Sequence, residues 1–304
     1  MEIIGIKSNL ARFFLLIIFN LLVLALPDHK TSAEEFDGTV VRLGRMADAV
    51  EKNVARLLVE RLMESGMKHV HLDSESSARE VGSDELLILP GIPAHHETIT
   101  GLFRECRIPD LTELAPGCEG FLLKLFAEKK PPLLLAAGVD DRGCLYAAGE
   151  LLRQATLAQG KLILPDNLEV RTAPAFEIRG TQYGQSYVAK NLAHVRDWTE
   201  KETQRVILDY ALAGANIFCT EPGPMFDFIK SFGLMTQGGF GANTAGSEVP
   251  AEWKAFESIG RAGYVCLSVP EAREFMLHKC EEYFNSSPGY DLIKFHGGDG
   301  GGCE

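Results

Sequence analysis

Two polar residues that could take part in catalysis or binding follow a predicted strand near the end of the chain. The strand covers residues 290–295 and continues into His296-Gly297-Gly298-Asp299. A carboxylate such as Asp299 can protonate a leaving oxygen, stabilise developing positive charge or bind hydroxyl groups. The alternative for Asp299 is a loop aspartate that caps a turn among glycines. His296 is equally suited to bind a hydroxyl group and to orient its neighbours.

Further polar residues follow two earlier predicted strands. Arg179 ends a strand at residues 176–180, and Gln182 comes shortly after it. A guanidinium can hold a carboxylate or two adjacent hydroxyl groups through paired hydrogen bonds; a structural ion pair is the alternative for Arg179. Glu221 follows a strand at residues 215–219 and supplies a second carboxylate, or is a solvated loop residue.

These residues are expected at one edge of a sheet because strands and helices alternate from residue 173 onward. The strands are predicted at residues 176–180, 215–219, 234–236 and 290–295, and the helices at residues 198–212, 226–232 and 270–283. Such βα repeats imply parallel strands with right-handed crossovers. A complete (β/α)8 barrel takes about 250 residues. Residues 173–304 amount to roughly half of that, so they predict the first half of a truncated (β/α)8 barrel whose carboxyl-end face carries the site.

The preceding part, residues 36–172, predicts an α/β accessory domain with its own core. Its strands are expected at residues 39–43, 85–89, 120–126 and 133–137, and its helices at residues 47–63, 95–106 and 141–154. Residues 162–174 contain two prolines and read as a connector. The alternation fits an α/β or an α+β sheet, so the fold class expected is α/β, with an N-terminal α+β accessory domain followed by a partial (β/α)8 barrel.

The first 33 residues have the pattern of a signal peptide. Lys7 and Arg12 precede an apolar run at residues 13–26, and small residues follow at positions 31–33. The apolar run is too short to span a bilayer comfortably. The sequence thus predicts a secreted or periplasmic protein with no stable membrane span after cleavage, and an uncleaved anchor is the alternative.

Composition narrows the class of ligand. The chain has 304 residues with 42 acidic and 30 basic side chains, a formal net charge of -12. This surface repels phosphate backbones, so we expect no nucleic-acid partner. A carbohydrate is compatible with both the charge and an extracellular location. The seven cysteines are odd in number and scattered, which predicts at most one or two disulfides.

No cofactor or metal is predicted. The glycine-rich residues 297–302 lack the Lys-Ser/Thr pair and the following helix of a phosphate-binding loop. His296, Asp299, Cys303 and Glu304 mix hard and soft ligands without the spacing of a standard metal site.

Three segments, in the order expected, resemble bacterial glycoside hydrolases. Residues 143–154 resemble the helix that closes the N-terminal domain of β-hexosaminidases and α-glucuronidases. Residues 174–180 are similar to the first barrel strand of these enzymes, which carries an Arg-Gly pair. Residues 295–299 are similar to the fourth-strand motif His-x-Gly-Gly-Asp-Glu of family 20 glycoside hydrolases. The resemblance implies a zincin-like N-terminal domain without zinc, and the sequence contains no His-Glu-x-x-His.

The resemblance also implies roles for individual residues. In family 20 the aspartate orients the acetamido group of the substrate, and the adjacent glutamate is the general acid. Here Gly300 follows Asp299, so the acid is missing from its usual place and Glu304 is the nearest substitute. We therefore expect Asp299 and Glu304 to be catalytic.

The resulting hypothesis is an exported glycosidase that hydrolyses O-glycosidic bonds in a polysaccharide or glycoconjugate, of which this sequence is a fragment. The substrate-binding residues expected are Arg179, Gln182, Glu221 and His296. The alternative is a non-catalytic carbohydrate-binding or scaffold protein with a degenerate barrel.

Overall fold

The computed structural model describes residues 33–180, 198–245, 249–255, 264–287 and 289–297, which form a mixed α/β fold with three sheets. The strands are β1 (Ala33–Phe36), β2 (Gly38–Leu43), β3 (Val70–Ser74), β4 (Glu85–Gly91), β5 (Phe121–Phe126), β6 (Leu133–Gly138), β7 (Thr156–Ala158), β8 (Lys161–Pro165), β9 (Glu169–Thr172), β10 (Ile217–Cys219), β11 (Met235–Gly241) and β12 (Leu292–His296). The α-helices are α1 (Ala49–Glu64), α2 (Glu97–Glu105), α3 (Asp141–Gln154), α4 (Glu200–Leu212), α5 (Pro224–Lys230) and α6 (Pro270–Ser286). Within these ranges, no helix combines the length and hydrophobicity needed to cross a membrane.

The largest sheet has six strands in the order β3-β2-β4-β6-β5-β9. Strands β3, β2, β4 and β6 run parallel, and β5 is antiparallel to both of its neighbours. The apolar runs in β4 and β6 are buried on both faces, as expected for central parallel strands. Helices α1 and α3 contribute to the core on one face, and α2 contributes to the core on the other. This confirms the α/β sheet predicted for the first part of the chain.

Helix α1 shows how the sequence sets an element boundary. Asp48 accepts a hydrogen bond from the backbone of Glu51, and the Glu51 side chain accepts one from the backbone of Asp48. This capping box satisfies N–H groups that would otherwise lack partners in the first turn. The helix ends beside Gly66, whose φ of 105° suits glycine.

The second sheet is parallel, in the order β10-β11-β12, which confirms three of the four strands predicted for this part of the chain. Helix α4 precedes it, and Thr199 and Glu202 form a capping box at its N-terminus. Phe218 of β10 is almost fully buried and belongs to the same hydrophobic cluster as α1 and α3. The parallel sheet therefore shares the main core with the six-stranded sheet.

Two sequence predictions about secondary structure are wrong. Residues 176–180 form no strand, since only Gly180 bridges to Ile217. Phe176 is 74% exposed, and the Arg179 guanidinium folds back onto the Phe176 carbonyl instead of extending from a strand. The predicted connector contains two short strands. Strand β8 pairs with β1 and β7, and β9 pairs with β5 and forms one edge of the six-stranded sheet.

Some predictions fall outside the described residues. The proposed leader, residues 1–33, lies outside the described ranges except for Ala33, the first residue of β1. Six of the seven cysteines are described, and none of these six forms a disulfide. The division into an accessory domain and a second domain stays a prediction, although β9 ends at Thr172, where that division was placed.

Candidate functional site

The parallel sheet has one buried face and one polar face. Along β11, Thr236 and Gly238 are buried, whereas the alternating residues Gln237 and Gly239 are more accessible. The strand register places Cys219 beside Gln237 and places Lys294 and His296 beside Gly239 and Gly241. Because side chains alternate along a strand, these residues share the accessible side. We call Cys219, Gln237, Lys294 and His296 the polar face.

His296 ends β12 with its ring over glycines of the neighbouring strand. A Cβ atom on Gly241 would lie 3.7 Å from His296 Nε2, and one on Gly239 would lie 3.8 Å from His296 Cε1. These glycines leave the imidazole in ordinary contact with β11, and the histidine remains exposed. An exposed imidazole at the carboxyl end of a parallel strand can donate to or accept from a bound hydroxyl group.

Glu221 is exposed just after the carboxyl end of β10, on the far side of β11 from His296. Its negative charge helps to raise the pKa of two neighbouring groups, Tyr290 and Cys219. Burial raises the pKa of Tyr290 to about 12, and the nearby Tyr283 and Glu221 act in the same direction. Burial also raises the pKa of the Cys219 thiol, with Glu221 adding to the shift and Lys294 opposing it. Glu221 therefore contributes negative charge near the carboxyl end of β10.

Three of the predicted site residues, Gln182, Asp299 and Glu304, lie outside the described residues, so their roles stay predictions. Trp253 packs against Phe275 with ring centroids 5.8 Å apart.

Arg179 lies in a buried network away from the polar face. Its Nε donates to the Gly214 carbonyl at 2.6 Å, and its Nη2 donates to the Tyr146 hydroxyl at 2.8 Å. Its remaining N–H groups contact the Glu119 carboxylate and the carbonyls of Phe176 and Glu177. This is the ion-pair arrangement given as the alternative for Arg179. Substrate binding by Arg179 stays a prediction, and a ligand would have to replace these contacts.

Glu119 is the centre of that network and was missed in the sequence. Its side chain is 7% exposed and pairs with Arg142 at 2.6 Å as well as with Arg179. The amide of Asn216 donates to it at 3.1 Å. Burial, followed by the charge of Glu119, raises the pKa of Tyr146 beside it. Glu119 stands in an irregular loop far along the chain from Arg179, so no local pattern marks it.

A second polar cluster lies at the carboxyl ends of the central strands of the six-stranded sheet. Ligand atoms of Asp48, Glu51 and His95 all lie within 4.8 Å of one another. His95 Nδ1 is 2.7 Å from Glu51 Oε2, and the other Glu51 oxygen accepts a hydrogen bond from the Ile92 backbone at 2.8 Å. These hydrogen bonds already use both oxygens of the buried Glu51 carboxylate.

A groove of about 770 Å³ lies between α1 and α4, away from the polar face. Three of the charged side chains that line it, Arg61, Glu64 and Arg205, form ion pairs. Arg61 pairs with Asp209 at 2.7 Å, and Arg205 pairs with Glu64 at 2.9 Å. The polar face therefore remains the candidate site, since Cys219 and His296 stand at the carboxyl ends of β10 and β12, where ligands of parallel sheets bind.

Comparison with known proteins gives a fold relationship. No protein-family model matches the sequence, and no curated protein matches it. A family GH115 4-O-methyl-α-glucuronidase, BtGH115A, specific for decorated arabinogalactans, is 13% identical with a TM-score of 0.50, over 90% of this chain and 37% of its own.

Two further solved structures match less closely in shape. CpGH84B is 12% identical with a TM-score of 0.44, over 86% of this chain and 41% of its own. A β-N-acetylhexosaminidase from Bacteroides fragilis is 14% identical with a TM-score of 0.45, over 85% of this chain and 52% of its own. The chain thus spans at most about half of the length of these structures, and its fold is similar to that of a glycoside hydrolase.

Proposed function

We propose that this chain is the front part of an exported glycoside hydrolase that acts on a polysaccharide or glycoconjugate. The observation that carries the proposal is the polar face of a parallel βα sheet. Two of its residues, Cys219 and His296, end β10 and β12, and (β/α)8 enzymes place their catalytic residues at the carboxyl ends of the strands. The leader-like residues 1–33 support export.

In this proposal, β10, β11 and β12 belong to the first half of a (β/α)8 barrel, and the six-stranded sheet is the core of an accessory domain. The similarity to a GH115 glucuronidase over 90% of this chain but 37% of the other supports a longer parent protein. The remaining barrel strands would close the sheet, turning the polar face into the wall of a pocket.

The proposed chemistry needs two carboxyl groups on opposite sides of the scissile bond. Asp299 and Glu304 follow β12 by three and eight residues, and Glu221 follows β10 by two. We assign Asp299 and Glu304 the catalytic positions, and Glu221, His296 and Gln182 the binding of sugar hydroxyl groups. Because Gly300 occupies the place of the family 20 acid, the reaction need not involve an acetamido group.

The second candidate is a carbohydrate-binding protein without catalysis. The contacts of Arg179 favour it, because this guanidinium is occupied by protein groups instead of facing the polar face. The absence of a carboxylate at Gly300 favours it too.

The test is hydrolysis of a panel of aryl glycosides and aryl uronosides by the full-length gene product. Wild type is compared with Asp299→Ala and with the control Asp110→Ala, an exposed residue outside the βα part. Turnover of one substrate that falls at least a thousandfold in Asp299→Ala alone supports the hydrolase. Sugar binding without turnover in wild type leaves the binding protein. Equal turnover in all three proteins contradicts the role of Asp299.

A further inference from the structure

Three of the seven residues of β11 are glycines, at positions 238, 239 and 241. Glycine weakens a strand, and its presence there often marks a bulge, a closely packed neighbour or a ligand. A Cβ atom on Gly238 would lie 2.3 Å from the Tyr283 hydroxyl oxygen, and one on Gly241 would lie 2.6 Å from Thr244 Oγ1. Neighbouring side chains therefore account for two of the three glycines.

Gly239 has no such neighbour. Within the part of the chain that the structure describes, and apart from residues 238 and 240, a Cβ atom on this glycine would meet only His296 Cε1, at an ordinary contact distance of 3.8 Å. Its φ lies outside the left-handed region that favours glycine. The pairing of β11 with β12 runs from Gln237 to Gly241 without a bulge and places Gly239 beside Lys294. Neither packing against these described residues nor backbone geometry requires a glycine at this position.

The space over Gly239 opens onto the polar face. Gly239 is exposed and shares the accessible side of β11 with Gln237. Strand β11 is the central strand of its sheet, so side chains of β10 and β12 flank this space, with Cys219 beside Gln237 and Lys294 beside Gly239. Adjacent strands are about 4.8 Å apart, which separates β10 from β12 by about 10 Å. Gly239 is thus the floor of a shallow trough between these two strands.

Polar groups stand on both sides of this trough. The Thr220 backbone donates to the Gln237 carbonyl at 3.2 Å, so the chain continues alongside β11 past the end of β10 and leads to Glu221. Lys294 and His296 of β12 lie on the other side. A carboxylate, an ammonium group and an imidazole can all form hydrogen bonds with hydroxyl groups. The trough therefore suits a ring that has C–H groups on its face and hydroxyl groups at its edge.

We propose that one sugar ring of the glycan lies over Gly239, with its face on the bare backbone and its hydroxyl groups directed toward Glu221, Lys294 and His296. Any side chain at position 239 would occupy the space of this ring, so the glycine determines whether the ligand fits. The inference rests on the proposed function, because it places the glycan of that proposal within the polar face.

The competing explanation for Gly239 is packing. If a side chain from another part of the protein filled the trough, a larger residue at position 239 would lower the stability of the protein. A ligand site has the opposite property, because the added side chain costs binding and leaves the fold intact. Stability measured without sugar therefore separates the two explanations.

The test combines thermal unfolding without sugar and isothermal titration calorimetry of the full-length gene product with oligosaccharides from xylan, chitin and arabinogalactan. Wild type is compared with Gly239→Ala and Gly239→Val. Gly239→Val is expected to unfold at the temperature of wild type or above it, since β-branched residues favour strands. Its affinity for the oligosaccharide that wild type binds is expected to fall by about tenfold or more, with a smaller loss in Gly239→Ala.

The matched control is Gly238→Ala, on the opposite side of the same strand. Its Cβ atom would clash with Tyr283, so it should unfold at a lower temperature while the folded protein keeps the affinity of wild type. Unchanged affinity in Gly239→Val would overturn the inference and leave the proposed function standing. A lower unfolding temperature in Gly239→Val, or failure of this variant to fold, would overturn it too, because packing would then require the glycine. If wild type binds none of the sugars, the proposed function fails and the inference fails with it.

Discussion

The guanidinium of Arg179 and the carboxylate of Glu119 form an ion pair that joins the segment after β9 to the loop before β5. Both side chains are mostly buried, and Tyr146 and Asn216 add hydrogen bonds to the same pair. The pair therefore ties the start of the βα part to the six-stranded sheet. The residue that most resembles a substrate-binding arginine in the sequence thus has a structural role in the fold.

Removing Arg179 should destabilise the protein. In Arg179→Ala, Glu119 stays buried with only Arg142 as a basic partner, and breaking a buried pair typically costs about 3–5 kcal/mol. We expect a loss of about 3 kcal/mol in the free energy of unfolding, measured by urea denaturation. Lys124→Ala, which removes an exposed pair with Glu169, is the control and should cost less than about 1 kcal/mol. Equal stability of Arg179→Ala and wild type would show that the network does not hold the fold.

A pair of glycine substitutions tests the helix packing. Gly149 of α3 faces the end of α4, and a Cβ there would lie 2.0 Å from the Leu212 carbonyl oxygen. Gly149→Ala should therefore lower the free energy of unfolding by about 1–3 kcal/mol or more, although alanine favours helices. Gly101→Ala in α2 meets nothing within 4 Å and should raise it by about 0.5–1 kcal/mol. Thermal unfolding of both variants measures the difference, and a stabilising Gly149→Ala would refute the close α3–α4 contact.

Glu75 should make the protein sensitive to acid. Burial alone would raise its pKa, but hydrogen bonds from Thr98 and from the Arg45 backbone, with the charge of His96, lower the pKa from 4.5 to about 2. The folded chain thus releases a proton that the unfolded chain retains. This stability is present above pH 4.5 and is lost as the pH falls toward 2. Comparing the unfolding of wild type and Glu75→Gln from pH 6 to pH 2.5 should show a shallower decline in the variant, and parallel curves would exclude the effect.

Local signals predicted the helices and the central strands well. Thr199 and Glu202 stand at capping-box spacing, and the structure forms that box. The apolar run of β4 predicts a strand because it is longer than a turn and is bounded by polar and glycine residues. The short strands β8 and β9 were missed because prolines near them favour a loop, while their pairing with the distant strands β1 and β5 decides the outcome.

The functional contacts were harder to predict because they join distant parts of the chain. Arg179 carries the same local pattern whether it binds Glu119 or a ligand. Glu119 stands in an irregular loop, and only the fold brings it to Arg179. His296 was placed correctly at the end of a strand, since the strand pattern alone determines that position.

The most direct test of a carbohydrate site on the polar face is isothermal titration calorimetry of the chain with oligosaccharides from xylan, chitin and arabinogalactan. Wild type is compared with His296→Ala and Glu221→Gln at the candidate site, and with the control His278→Ala on α6, an exposed histidine of the same kind. We predict binding of at least one oligosaccharide that weakens at least tenfold in the two site variants and is unchanged in the control. Binding that is equal in all four proteins, or absent from wild type for every sugar, would contradict a carbohydrate site on the polar face.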